Sequence, residues 1–560
     1  MGVNRRGLLA LLGAGAGATA APAVAGTAPA WSFQHGVASG DPTEDSALIW
    51  TRLSWDGAGA APQAVEVAWQ AAADAGFEKI LARGTAWAVA ARDHTVKVEV
   101  AGLKPGATCF YRFAWGSTQS PVGRFRTLPK KTRDVVLAVA SCALYPNGYF
   151  NAYGAIAALE RVDAVVHLGD YIYEYGGPGS YGMGSPVAAE RPHDPPHECV
   201  TLADYRRRHA QYKSDPQLQA AHARAAWITV WDDHETANDS FADGAENHDP
   251  DKGEGDWGGR KAAALKAYYE WMPIREPGVG RAMEMANRTF HFGDVASLVM
   301  VETRLTARSA PLSYSADLPV VDGKPDVAAF AAKWRDPARR LIGEEQHAWL
   351  AQTLTRSVEA GRTWQVIGNQ VVMGKVAAPD FEKQLGAEKW GQVLAALDDD
   401  VKPRVARLAR LAATGLPYNL DAWDGYPADR ERVLATFAGV GARPIVLAGD
   451  SHTFWANELR DEAGVLRAAE FAATSITSPG GGDYLPTVPL NEGFEQRNEE
   501  VVYCDQSAKG FVLLTLTRDA ARAEMVAVST IHSRSYTTAT SRRFTLAPIA
   551  GGGVSPLNAV

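Results

Sequence analysis

Four cysteines, Cys109, Cys142, Cys199 and Cys504, are too few to organise a chain of 560 residues through a disulfide framework. Cationic excess is also lacking: 56 Lys and Arg stand against 64 Asp and Glu, a net charge of −8. That balance argues against a nucleic-acid binder, whose phosphate contacts need clustered Lys and Arg. It leaves room for a phosphate substrate, because bound cations can reverse the local field. Beyond the first twenty residues no apolar run reaches about 18 residues, so no transmembrane helix is expected. Internal repeats are absent, and a chain that is 46% hydrophobic and 21% charged is neither a disordered tail nor a collagen-like rod.

The N-terminus reads as a targeting segment over residues 1–25. Asn4-Arg5-Arg6-Gly7 precedes a short apolar run, and Ala23-Val24-Ala25 supplies the small-x-small pattern of signal cleavage. The arginine pair before Leu8-Leu9 resembles a twin-arginine signal, which implies twin-arginine export machinery and a secreted or periplasmic product. Cleavage removes Arg5 and Arg6 and leaves a mature charge of −10. Export of a folded protein suits one that loads metal beforehand and keeps a thiol ligand reduced.

Residues 32–128 alternate in the manner of β-structure, with strands expected near 47–51, 65–69 and 95–100. Leu103-Lys104-Pro105-Gly106 leading to Tyr111 resembles the tyrosine corner of an immunoglobulin or fibronectin-III-like sandwich. After a polar linker at 127–133 the period changes. Continuous apolar runs at 135–140, 164–168, 227–231, 364–368 and 444–448 read as buried strands. Helical spacing fills 150–159, 202–212, 215–225, 344–359 and 429–438. The alternation predicts an α/β domain over 134–546 with a substantially parallel core. Segments 175–200 and 241–260, rich in Gly, Pro, Asp and His, read as long surface loops.

The chemistry sits where these strands end. The first ends at Ser141-Cys142, the second at Gly169-Asp170-Tyr171-Ile172-Tyr173, the third at Asp232-Asp233-His234, and a late one at Gly449-Asp450-Ser451-His452. Open α/β sheets bind ligands outside the carboxyl ends of their strands, so one sheet edge is expected to gather all four. Asp and His suit hard or borderline cations, tyrosinate favours Fe(III), and thiolate suits iron or zinc. Carboxylates this close repel unless cations neutralise them. Two metals at roughly 3.5–4 Å could share a carboxylate, activate water and neutralise a phosphate. His234 could then act as acid or hydrogen-bond donor at the leaving oxygen.

The motifs Ala140-Ser141-Cys142, His167-Leu168-Gly169-Asp170-Tyr171-Ile172-Tyr173-Glu174, Trp231-Asp232-Asp233-His234-Glu235 and Leu447-Ala448-Gly449-Asp450-Ser451-His452 resemble the calcineurin-like metallophosphoesterases. Within them they resemble the alkaline phosphatase D (PhoD-like) family. Segments 341–350 and 421–426 support the likeness. The resemblance implies a metallophosphoesterase domain with central β-sheets and flanking helices behind the small β-domain. It also implies an Fe3+ and Ca2+ site that releases phosphate from esters outside the cytoplasm. Carried over, Cys142, Tyr173 and His452 would hold iron, Asp170 would bridge, Asp233 and Asp450 would hold calcium, and His234 would sit beside the phosphate. Ser141-Cys142 and Asp232-Asp233-His234 depart from the Asp-x-His and Gly-Asn-His motifs of the broader group, against a plain two-zinc or two-manganese site.

The expected activity is therefore an alkaline phosphatase acting on monoesters through a metal-bound hydroxide. The alternatives are a phosphodiesterase or phospholipase D-like enzyme with the same metals and, in a different class, a non-catalytic extracellular binding protein. Simpler readings apply elsewhere. Asp170 could cap a helix, His167 reads as core, and Asp232 as loop support. His193, His197 and His248 read as solvated, the 16 tryptophans as packing, and Arg206-Arg207-Arg208 as a solvated helix face. Asn238, Arg304, Asn369 and Gln370 are expected only at the site's periphery.

Overall fold

The computed structural model describes residues 31–177, 181–182, 184–397 and 402–560; the targeting segment lies outside them. The apolar runs become strands Asp134–Ala140, Ala164–His167, Ala226–Thr229, Trp364–Gly368 and Pro444–Ala448. The 3.6-residue patterns become helices Asn151–Ala158, Leu202–Lys213, Pro216–Arg224, Glu344–Glu359 and Pro427–Gly439. Local chemistry sets several helix ends. Thr201 accepts from Asp204 N–H, and Asp204 accepts from Thr201 N–H, a reciprocal cap that starts Leu202–Lys213.

The strands divide between two large mixed sheets. One has ten strands, and at its centre Asp134–Ala140, Ala164–His167 and Ala226–Thr229 run parallel. The other has seven, with Ala296–Met300, Trp364–Gly368, Pro444–Ala448 and Leu466–Ala472 parallel in that order. The two sheets share one core, in which Val139, Val165 and Ile228 of the first join Leu298, Val366 and Leu447 of the second. The expectation of a single sheet edge is thus corrected. Cys142, Asp170 and Asp233 follow strands of one sheet, and Asp450 and His452 follow a strand of its partner. Ser141 and Ser475 form a parallel bridge between the two sheets at that end.

The N-terminal region is all-β. Its strands Thr108–Trp115, Ala64–Ala72 and Ile80–Val89 belong to a separate five-stranded sheet. Val37–Gly40, Ala47–Arg52 and Thr95–Val100 instead extend the ten-stranded sheet, with Val37–Gly40 parallel to Ala226–Thr229. Val67, Tyr111 and Phe125 from one sheet and Ile49, Val96 and Val100 from the other fill a common core. Tyr111 is buried and its hydroxyl faces Ser39 of the opposite sheet.

Candidate active site

Three of the four strand ends lie in backbone that side chains rarely adopt. Cys142 has φ 62°, Asp170 54°, Asp450 60° and His452 55°, all left-handed. Non-glycine residues held there cost of order 1–3 kcal/mol each, and such positions cluster at functional sites. Glycines allow the turns to close. At Gly169, φ is 104° and an added Cβ would lie 2.3 Å from the main-chain nitrogen of Asp232. An added Cβ at Gly449 would lie 2.2 Å from Ser141 Oγ. Among the described residues no helix follows Asp170 before Leu202, which speaks against the capping reading.

These turns bring ligand atoms together in three groups: Cys142, Asp170 and His452; Asp170, Asp233 and His234; and Asp232, Asp233 and Asp450. Within each group the atoms lie within 4.8 Å of one another. Asp170 joins the first two groups and Asp233 the last two. Tyr173 belongs with the first: its hydroxyl stands 3.0 Å from Asp170 Oδ2 and 3.1 Å from His452 Nε2, and accepts from Ser478 Oγ at 2.6 Å. His452 Nδ1 lies 2.9 Å from the Pro479 carbonyl, so it donates there and leaves Nε2 with its lone pair toward Tyr173 and Asp170.

The donor set fits a cation. Burial drives the Cys142 thiol, the Tyr173 phenol and the Asp170 and Asp450 carboxyls well above their usual ranges, and neighbouring acids push the same way. A cation among them is what would make them anionic. Asp170 Oδ1 is buried without a hydrogen-bond partner, a lone pair left open for one.

Two buried glutamates hold the loops. Glu235 accepts from the main-chain nitrogens of Tyr171 at 2.6 Å, Asp232 at 2.8 Å and Asp170 at 3.0 Å, tying two strand ends together. Glu174 accepts from His234 Nδ1 at 2.7 Å through Oε2, and from Asn238 N and Asn247 Nδ2 through Oε1. Burial works against the His234 cation, but Asp233, Glu174 and Asp170 outweigh it and raise its pKa well above the usual histidine range. Nε2 is left as the ring's free nitrogen on a cavity of about 340 Å³, lined also by Asp170, Asp233, Asp450 and His452.

Arg304, expected at the periphery, is central. Fully buried, it donates to Asp232 Oδ1 at 2.5 Å, Asp421 Oδ2 at 2.7 Å and Asp450 Oδ1 at 3.1 Å. Asp232 is held by this contact and also offers an oxygen to the third group. Asp421, which the sequence marks only within segment 421–426, pairs also with Arg308 and is a second residue of the hub. Asn238 lines the cavity. Asn369 and Gln370 are buried behind it, bonded to Trp423 and Val301.

Other expectations are corrected. Arg208 is buried rather than solvated and donates to the carbonyls of Tyr173 and Pro195, fixing the turn that presents Tyr173. Arg206 pairs with the buried Glu270, and Arg207 alone stays more than half exposed. His193 is buried against the Tyr175 carbonyl, and the His248 side chain is only 4% exposed; His197 is solvated as expected. The segment 175–200 is accordingly more than a surface loop: Tyr181 reaches in, its hydroxyl 3.0 Å from Pro479 O. Helix Trp257–Trp271 begins inside the segment read as 241–260. His167 is core, 2.7 Å from the Tyr153 hydroxyl and stacked on Trp227.

The PhoD-like phosphatase family model matches residues 137–525, which include every residue of this constellation, and the model of its N-terminal domain matches residues 18–129. The chain belongs to the PhoD-like phosphatase family. It is a hydrolase acting on phosphoric esters. Alkaline phosphatase D of Bacillus subtilis (strain 168) is 38% identical over 468 residues, covering 81% of this chain and 70% of the relative. A solved structure described as that of PhoD is 32% identical with a TM-score of 0.77, covering 96% of this chain and 93% of the other. Among the described residues no helix of this PhoD-like chain is long and apolar enough to cross a membrane.

Proposed function

We propose that the protein is an exported, metal-dependent alkaline phosphatase that hydrolyses phosphate monoesters. The observation that carries this reading is the pair of shared carboxylates: Asp170 and Asp233 each join two groups of ligand atoms beside His234 on one cavity. Cys142, Tyr173, His452 and Asp170 would hold Fe3+, and Asp170, Asp233 and Asp450 would hold Ca2+, as their donor types favour. When bound, the cations supply Lewis acidity toward phosphate oxygens and an acidified water. Glu174 holds His234 by Nδ1, so the remaining nitrogen can donate to the leaving oxygen. Arg304 fixes Asp450 by one oxygen and leaves the other for a cation.

Export by a twin-arginine signal over residues 1–25 belongs to the same reading and rests on the sequence pattern. So does a division into a β-domain at 32–128 and a catalytic domain at 134–546. A diester or phospholipase D-like reading stays as the second, because the described cavity lining carries no lysine or arginine to meet a monoester's second charge. Turnover of nitrophenyl phosphate against its bis-ester, with calcium supplied, separates the two. The primary test is Asp170→Asn: turnover should vanish with the thermal midpoint retained, and a fully active variant would refute the metal reading.

A further inference from the structure

The cavity over the carboxylates has a chemically mixed lining. Besides Asp170, Asp233 and His234 its lining includes Val372, Val376, Tyr418 and Trp455. At about 340 Å³ the cavity is of the size that accepts an organic ligand, and a phosphoryl group fills only part of it.

Tyr418 is the notable member of this lining. It is 41% exposed, yet its surroundings are fixed. Its main-chain nitrogen donates to Val376 O at 2.6 Å, and the carbonyl of the preceding Pro417 accepts from Tyr314 Oη at 2.6 Å. Its ring packs edge-on against Phe494, with centroids 5.0 Å apart. Phe494 in turn meets Trp455 at 5.5 Å, and Trp455 Nε1 donates to Ser451 Oγ at 3.0 Å. Ser451 lies between Asp450 and His452, so the apolar wall is tied in register to the ligand-bearing turn. A rigid aromatic presented to a cavity offers contact area at low conformational cost.

Charge narrows the ligand. The described lining has no lysine or arginine to pair with an anionic group. We propose that Tyr418, with Val372, Val376 and Trp455, forms a subsite for the organic group of the ester and selects uncharged aromatic or aliphatic groups over minimal or anionic ones. This rests on the phosphoesterase reading of the site above.

Non-hydrolysable phosphonates test the subsite without the confusion of leaving-group reactivity. Inhibition of nitrophenyl phosphate turnover by the metal-loaded full chain would be measured with phenylphosphonate, methylphosphonate, 4-carboxyphenylphosphonate and inorganic phosphate. Phenylphosphonate should bind about tenfold or more tighter than methylphosphonate, as burial of one ring face implies. The 4-carboxy compound should bind more weakly than phenylphosphonate. Tyr418→Ala should erase most of the phenyl advantage while methylphosphonate and inorganic phosphate keep their inhibition constants, and Tyr418→Phe should retain it. Equal binding of phenyl- and methylphosphonate by the native enzyme, or a Tyr418→Ala variant that weakens all the anions alike, overturns the subsite. If none of the anions inhibits, the phosphate site itself has been misread, and the subsite falls with it.

Discussion

Replacing Arg304 by methionine removes a guanidinium that faces four carboxylates. The guanidinium contacts Asp232 at 2.5 Å, Asp421 at 2.7 Å and Asp450 at 3.1 Å, with Asp233 at 3.8 Å. Asp421 keeps Arg308 at 2.5 Å and is not left alone. Asp232 is worse placed, because its other oxygen already lacks a hydrogen-bond partner. Breaking one buried pair by deleting a partner costs about 3–5 kcal/mol. The carboxylates share one guanidinium, so their losses do not add, and uptake of a proton caps the cost at about 1.4 kcal/mol per unit between the carboxyl pKa and the ambient pH. The expected destabilisation in chelator is therefore about 3–5 kcal/mol, read by urea denaturation at pH 8. Calcium should recover part of it by neutralising Asp233 and Asp450. Arg304→Lys should recover less than a conservative exchange usually does, since an ammonium cannot bond three carboxylates in one plane. An Arg304→Met protein with an unchanged denaturation midpoint in chelator would refute the idea that this guanidinium holds the carboxylates together.

Glu174→Gln should lower kcat roughly 10–100-fold with KM nearly unchanged, because it loosens His234 without touching the phosphate side; steady-state kinetics checks this. Lys213 is buried, reaches His222 Nε2 at 3.1 Å and stands over the Trp50 ring, and burial holds its pKa well below 10.5. The unfolded chain thus binds more protons below pH 10.5, and stability from this group falls as the pH drops toward its folded pKa. Lys213→Met should raise the thermal midpoint at pH 8 and flatten its pH dependence between pH 8 and about 10. Tyr173 bound to Fe(III) should give a visible charge-transfer band that Tyr173→Phe abolishes; a colourless iron-replete native protein would count against that ligand. Resistance of Cys142 to alkylation is a poorer test, since this thiol is already fully buried.

The strands were readable because each is a short apolar run that a buried parallel strand requires, and their ends carry the candidate ligands. Which sheet each strand joins was not readable: Pro444–Ala448 has the same pattern as Ala164–His167 yet sits in the opposite sheet. Left-handed backbone at Cys142 leaves no trace in residue type, whereas Asp170, Asp450 and His452 are of types enriched there, and Asp170 and Asp450 each follow a glycine. Arg304 was hidden for a different reason. Its partners Asp232, Asp421 and Asp450 come from three distant segments, so no local spacing marks the hub. Arg208 was only weakly marked. Three consecutive residues on a helix span about 200°, more than half its circumference, so at least one lies near the border of the buried stripe. Arg208 holds the Tyr173 turn, which makes the local geometry of helix Leu202–Lys213 part of the candidate site rather than of its surface.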